Sequence, residues 1–345
     1  MRFGFLHNVI TIDGIDPNTG WDRHYAFDVL ENRWVTNSVY DFLEGTYEFR
    51  NNLLDAMWRR SVFFVKDDYW VVLDTIYGEG EHEVESNLQF MVGNEIILGD
   101  DRIQAIAPNG ATLDIVQAAG TELTPEVLIG DTHFPGTTFL TQYPSFVDWQ
   151  PGGRGWVGSF GNHSPLDPVK THPAPALLKS GTVKLPFKSV TVITPSIDKQ
   201  PRHAQVRIIE DHSDGFTMEI VTDSNQVDRL SWQLADWPDH SQKISDDSGW
   251  WIRKVEGEVS RIIVMNKRSV SIDSKEETIN LNFDGPFEGR LDRTDTGWTI
   301  TPDSYNAVTP KLLNFEVTRD GRVESFRTEN AQPLEPNTEH NLILR

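Results

Sequence analysis

Apolar and polar residues alternate along most of this chain, and a period of two predicts strands. Ser61-Val62-Phe63-Phe64-Val65 and Tyr69-Trp70-Val71-Val72-Leu73-Asp74 flank Lys66-Asp67-Asp68, which predicts a hairpin. Residues 82–90 keep the same period, with Val84, Leu88 and Phe90 inward and Glu83, Glu85 and Gln89 outward. Residues 103–107 and 112–116 are joined through Pro108-Asn109-Gly110, a strong turn signal. Near the start, Val9-Ile10-Thr11-Ile12 alternates like a strand and runs into the turn pair Asp13-Gly14. Helical spacing occurs only at Leu53-Leu54 with Met57-Trp58, over too short a run to make a helix. The pattern reads as all-β.

Residues 125–201 differ in character, holding 11 of the 19 prolines together with Gly152-Gly153-Arg154-Gly155. Proline cannot donate to a ladder, so this stretch is expected to be irregular or edge-forming, with short strands such as 155–159. Residues 190–193 read as a last strand before Pro195 and Pro201. Beyond it, apolar runs recur at 204–209, 216–221, 230–234, 250–255, 261–265, 269–272, 278–283 and 298–301. Such close spacing predicts a second antiparallel sandwich. The expected organisation is two β-sandwich domains in tandem, residues 1–200 and 201–345, without internal repeats.

A length of 345 residues suits two domains on a prior of ~150 residues each, and 18 Phe, 11 Trp and 7 Tyr suffice for real cores. The net charge is −21, shared as 14 basic against 26 acidic residues in 1–200 and 17 against 26 in 201–345. Neither part is basic, which argues against nucleic acid or an anionic membrane as partner. Cysteine is absent, removing disulfides, zinc ribbons and thiol catalysis. That fits a reducing cytosol or a bacterial exported protein without staples. No apolar run approaches the ~20 residues of a membrane helix. Met1-Arg2-Phe3-Gly4-Phe5-Leu6 is too brief for the ~7–15-residue apolar core of a signal peptide, and the chain reads as beginning inside a domain.

Candidate chemistry is sparse. The 10 histidines are scattered, with no helical pair for one metal ion. Gly152-Gly153-Arg154-Gly155 lacks the Lys-Ser/Thr of a phosphate loop, and Gly158-Ser159-Phe160-Gly161 does not form a nucleophile elbow. Asp67-Asp68 and Asp100-Asp101 are adjacent pairs at turns, where neighbouring side chains diverge. Glycoside hydrolysis needs two carboxyls converging ~5–10 Å apart, so both pairs read as solvated turn residues. Residues 78–85 could form a cation site, but a solvated connection with an outward charged face is the better reading. Trp21, Trp34, Trp149, Trp156, Trp250 and Trp251 offer indole faces that stack on sugar rings, or fill cores as most sandwich Trp do. Trp250 and Trp251 must point to opposite faces. Arg23-His24, with Arg59-Arg60, is the candidate basic patch for an anionic polysaccharide.

Four segments together resemble the C-terminal β part of the heparinase II/III-like family of polysaccharide lyases. His7-Asn8-Val9-Ile10-Thr11-Ile12-Asp13-Gly14 is similar to the family's His-Asn-Thr-Val-x-Val-Asp-Gly, with Val9 where Thr is usual. Arg59-Arg60-Ser61-Val62-Phe63-Phe64-Val65 through Asp74 resembles its Arg-Arg hairpin ending in Val-Val-x-Asp, and residues 80–90 resemble the strand that follows. Gly155-Trp156-Val157-Gly158, Leu185-Pro186-Phe187 and Val192-Ile193-Thr194-Pro195 resemble the Gly-Trp segment and the closing strand. The match runs in order over residues 5–200.

The resemblance implies a central β-sandwich and a smaller C-terminal β domain, without the (α/α) toroid that precedes them in the family. Members cleave uronic-acid polysaccharides by β-elimination, using Tyr and His positions that would all lie before Met1, so no catalytic residue is carried over. Some members hold a structural zinc through two His and one Asp, the last His opening the His-Asn motif. His7 matches that metal ligand; the other two would precede Met1. The resemblance therefore implies structural zinc in the complete family fold but not in this chain alone, and His7 reads as a vestigial ligand or an ordinary strand-end residue. Localisation in the family is periplasmic or extracellular.

Two functions lead, and a third, a sugar hydrolase using carboxylates from separate strands, stays open with no pair to point to. The first is the sandwich portion of a lyase, inactive without its toroid; the second is a non-catalytic module that binds a polysaccharide or oligosaccharide or acts as a scaffold. A sandwich lacking its opening strands exposes an edge, so self-association or docking of an upstream toroid is expected.

Overall fold

The computed structural model describes residues 7–15, 33–49, 54–130, 156–158, 171–197, 202–223, 225–234, 248–273, 277–303, 310–328 and 334–344. The protein is all-β and its sheets are antiparallel, as the alternation predicts. Its chain divides into two compact units, one of residues 1–30, 44–63 and 67–203, the other of residues 31–43, 64–66 and 204–345.

The strands up to residue 203 are β1 (Ile10–Ile12), β2 (Arg33–Thr36), β3 (Tyr40–Glu48), β4 (Met57–Val65), β5 (Tyr69–Tyr77), β6 (Glu81–Gln89) and β7 (Glu95–Leu98). They continue as β8 (Ile103–Ile106), β9 (Thr112–Ala119), β10 (Thr124–Ile129), β11 (Trp156–Gly158), β12 (Thr171–Pro173), β13 (Pro175–Lys184) and β14 (Phe187–Ser196). One sheet has the order β1-β6-β13-β10, another β2-β3-β4-β5-β14-β9-β8-β7, and β11 pairs with β12. Lys66, Asp67 and Asp68 make the predicted β4–β5 turn, with Asp67 at a φ of 62°.

The first unit is a sandwich because the two sheets share a core. Ile10, Ile12, Val84 and Val183 from the four-stranded sheet meet Trp58, Ile76 and Phe187 from the larger one. A second, smaller cluster joins Leu177 and Leu88 to Ile103, Ile115 and Ile193. Between them the same inward-facing rows carry polar residues. Ser86 on β6, Lys179 on β13, Ser189 and Thr191 on β14, and Asp74 on β5 are all buried. The core is thus two apolar layers divided by a polar belt.

The described residues 171–197 of the proline-rich stretch are more regular than expected. β13 and β14 are ten-residue strands at the heart of their sheets. Pro175 only opens β13, and Pro186 lies in the turn between the two strands, with a cis bond to Leu185. Pro195 pairs with Leu113 of β9 where the β5 ladder has already ended at Ile193, so its missing donor is tolerated.

The second unit's strands after residue 203 are β15 (Gln205–His212), β16 (Gly215–Asp223), β17 (Gln226–Gln233), β18 (Ser248–Val255) and β19 (Glu258–Asp273). Then come β20 (Glu277–Thr294), β21 (Gly297–Pro302), β22 (Leu312–Arg319), β23 (Arg322–Thr328) and β24 (His340–Leu344). They form one sheet in the order β15-β16-β17-β18-β19-β20-β21-β24-β23-β22, and β20 also pairs with β22. The runs 261–265 and 269–272, which read as separate strands, are one strand broken by register shifts around Lys267, beside Asn266 at a φ of 53°. β20 is correspondingly long: its first half pairs with β22 and its second with β21. The bent β19–β20 hairpin therefore serves both layers of this sandwich, the corner-turning use of a β-bulge. Between the layers lies a continuous apolar cluster that includes Ile262, Val264, Leu281, Phe287, Trp298, Phe315 and Phe326.

Candidate functional site

Polar side chains of three of the four segments that carry the family resemblance converge in the first unit. Ile12-Asp13-Gly14-Ile15 closes as a two-residue turn with positive φ at both Asp13 (50°) and Gly14 (68°), the mirror-image geometry that Asp-Gly favours. Ile10, Thr11 and Ile12 pair with Ser86, Glu85 and Val84. At one end of this short strand the Asn8 Oδ1 accepts from the Gln89 amide at 2.8 Å, and the Asn87 Nδ2 donates to the His7 carbonyl at 2.9 Å. At the other end the Asp13 Oδ1 accepts the Glu83 amide at 2.9 Å, and its Oδ2 meets the His82 Nδ1 at 2.7 Å. A three-residue strand contributes few ladder bonds, so these side chains clip it in place.

The Arg-Arg hairpin joins the same network. Arg60 grips Asp74 through two bonds of 2.7 and 2.9 Å and donates to the Asn8 carbonyl at 2.5 Å. The Trp58 Nε1 donates to the same Asp74 at 2.8 Å, and the Arg60 guanidinium lies over the Trp58 ring, 4.8 Å from its centroid. Arg59 points to the other side of the strand, is buried, and donates to the Tyr77 hydroxyl at 3.1 Å. Lys179 reaches across the core to the Thr191 hydroxyl at 3.0 Å. Burial pushes the Lys179 ammonium down to about 8; nearby Asp74 opposes that shift and Arg60 adds to it.

The predicted site residues separate in three ways. His7 is exposed, and what holds it is its backbone carbonyl. Among the described residues no group of three or more His, Cys, Asp or Glu side chains stands together that could hold a metal ion. Arg23 and His24 lie outside the described residues, as do Trp21 and Trp149. Arg59 and Arg60 are not a surface patch; Arg59 donates to Tyr77 and Arg60 pairs with Asp74, because a guanidinium withdrawn from water must find fixed acceptors.

Other expectations divide similarly. Asp68 is buried and bonded to Arg202 at 2.7 Å instead of being solvated, whereas Asp101 is exposed beside Arg102. Trp251 is wholly buried with Arg253 over its ring, and Trp250 packs against the second unit's core, so neither indole is an open platform. Trp34 is, at 63% exposure.

Sequence reasoning missed the buried charges. Lys179 looks like the polar end of an apolar run, and only its parity with Leu177 and Val183 signals an inward side chain. In the second unit Arg33 pairs with Glu288 at 2.8 Å, both buried. There the Tyr40 hydroxyl also donates to Asp303, which accepts from Asn37 at 3.0 Å. Burial, then the Asp303 charge, drive the Tyr40 phenol well above its ordinary range, and burial also raises Asp303. Tyr40 has no exposed surface, so this pair holds strands together and cannot reach a polymer.

No protein-family model matches the chain, and no curated protein does. Similar solved structures include a mutant of the heparan sulfate lyase HepC from Pedobacter heparinus, with a TM-score of 0.45 at 15% identity over 66% of this chain. A heparinase III gene product gives 0.44 at 16% identity over 67%, and another heparinase III gives 0.39 at 10% over 66%. The match spans only 30% of the length of each of the first two proteins and 29% of the third.

Proposed function

We propose that residues 1–200 are the β-sandwich portion of a heparinase II/III-like polysaccharide lyase, with residues 201–345 as its C-terminal β domain. In this reading the complete protein cleaves uronic-acid polysaccharides by β-elimination, and the chain alone is inactive because a toroid supplies the acid and base. One observation supports it above the others: the distinctive polar residues of the resembling segments, Asn8, Asp13, Arg60 and Asp74, bond one another's strands. Residues so engaged build a scaffold and leave the chemistry to side chains elsewhere. Incubation of the full chain with alginate or heparan sulfate is expected to yield no absorbance from unsaturated uronate. Steady product formation, abolished by a substitution within this chain, would overturn the proposal.

A second reading, a non-catalytic carbohydrate-binding module, is favoured by Trp34. Its exposed indole shares an outward row of β2 with Thr36, whose hydroxyl donates to Asp41 at 2.5 Å, and Asp41 in turn pairs with Lys66 at 2.9 Å. An apolar ring beside hydroxyl, carboxylate and ammonium groups suits the C–H face and hydroxyls of a sugar. Titration of Trp fluorescence with uronate and neutral oligosaccharides decides it. Saturable quenching that disappears in Trp34→Ala supports a module, and an unresponsive spectrum rejects it.

A further inference from the structure

His82 sits between two oxygen atoms. Its Nδ1 lies 2.7 Å from the Asp13 carboxylate and its Nε2 lies 2.8 Å from the Glu79 carbonyl. Neither oxygen carries a proton to give, so a neutral imidazole satisfies one contact and turns a lone pair toward the other. Only the doubly protonated ring donates to both. The Asp13 carboxylate is simultaneously the acceptor for the Glu83 amide, and the Asp13 amide donates to the Glu83 carbonyl at 2.8 Å. The imidazolium thus orients the carboxylate that ties the end of β1 to β6.

We infer that His82 forms a proton-dependent clasp: the imidazolium bridges the Asp13 carboxylate and the Glu79 carbonyl and so fastens the Asp13–Gly14 turn beside β6, and on proton loss one of the two contacts is given up and that end of β1 loosens. Asp13 is the ionisable group facing the ring among the described residues. The ring's same-face neighbour on β6 is Val84, and Val183 stands opposite it on β13. Glu81, Glu83 and Lys184 fall on the alternate set of positions, directed to the other face. The Asp13 hydrogen bond holds the imidazole above its ordinary range, against a smaller opposing effect of burial and with help from the Glu79 carbonyl. The sign follows: the clasp is fully fastened below about pH 6.5, the unfolded value, and is lost as pH rises through the higher folded value. Ile10 and Ile12 are buried in the core, so the loosening is expected to stay local to the turn.

The test is a pH titration of the full chain by ¹⁵N NMR, combined with hydrogen exchange at Asp13 and Glu83 corrected for intrinsic rates. Both ring nitrogens of His82 are expected to be protonated at pH 6, and the corrected exchange to become about tenfold faster above its titration point, the loss of one charge-assisted bond. His82→Gln is expected to exchange fast at every pH, and Asp13→Asn to return the His82 titration to the ordinary range. A singly protonated ring at pH 6, or corrected rates that do not change through the titration, would overturn the inference. Both readouts exist in the unsubstituted protein, so a variant that fails to fold leaves the test intact.

Discussion

The two sandwiches solve the same packing problem with different interiors. In the second unit a large apolar cluster runs unbroken between the layers, and buried charges such as Arg33–Glu288 sit outside it. In the first, Arg60, Asp74, Lys179 and Thr191 cross the middle and split the apolar contacts in two. A continuous hydrocarbon core gains transfer free energy at every residue. A polar belt gives up part of that gain and fixes register, since a one-residue slip of any strand would turn its charge out of the belt and an apolar side chain into it. The first unit is therefore the more specific and the less forgiving of substitutions at its polar centre.

The largest effect is expected where the apolar core is densest. Phe315 packs edge-on against Trp298, with centroids 5.3 Å apart, and against Phe326 at 5.1 Å. Phe315→Ala should cost about 4 kcal/mol in urea unfolding of the full chain. In the belt, Asp74→Ala strips Arg60 and the Trp58 Nε1 of their acceptor and should cost about 3 kcal/mol. Measured by the same unfolding curves, a loss well under 1 kcal/mol would mean the belt is solvated and the contrast between the units false.

Lys179 sharpens the comparison in the opposite direction. Its folded value, about 8, lies below the unfolded one, so the unfolded chain binds the extra proton and stability should rise with pH from about 8 to about 10.5. Lys179→Met should flatten that rise and be neutral or stabilising by about 1 kcal/mol at pH 7, because an apolar side chain of similar length fills the space without a charge. The smallest effect is expected at the surface: Trp34→Ala should change stability by less than about 0.5 kcal/mol, so any loss of oligosaccharide response in that variant reports binding and not unfolding.

Much of this organisation is legible from the chain. Alternation at 61–65, 69–74 and 82–90 marks β4, β5 and β6, and Asp13-Gly14 announces a two-residue turn through the φ values that pair favours. Proline misleads at β14, because a strand tolerates one wherever its neighbour has already stopped pairing. The bend in β19 and β20 is hidden because a bulge leaves the hydrophobic period looking like two strands. The site is less legible than the fold. Sequence spacing says nothing of which charges cross a core, so Arg59 and Arg60 read as a basic surface although their partners, Tyr77 and Asp74, lie on the neighbouring strand. His82 and Asp13, 69 residues apart, meet only because β1 pairs with β6.

The account rests on the polar residues of the resembling segments acting on one another. A double-mutant cycle of Arg60→Ala and Asp74→Ala, read by urea unfolding of the full chain, measures this directly. A coupling of about 2 kcal/mol is predicted; losses that add to within about 0.3 kcal/mol would contradict it.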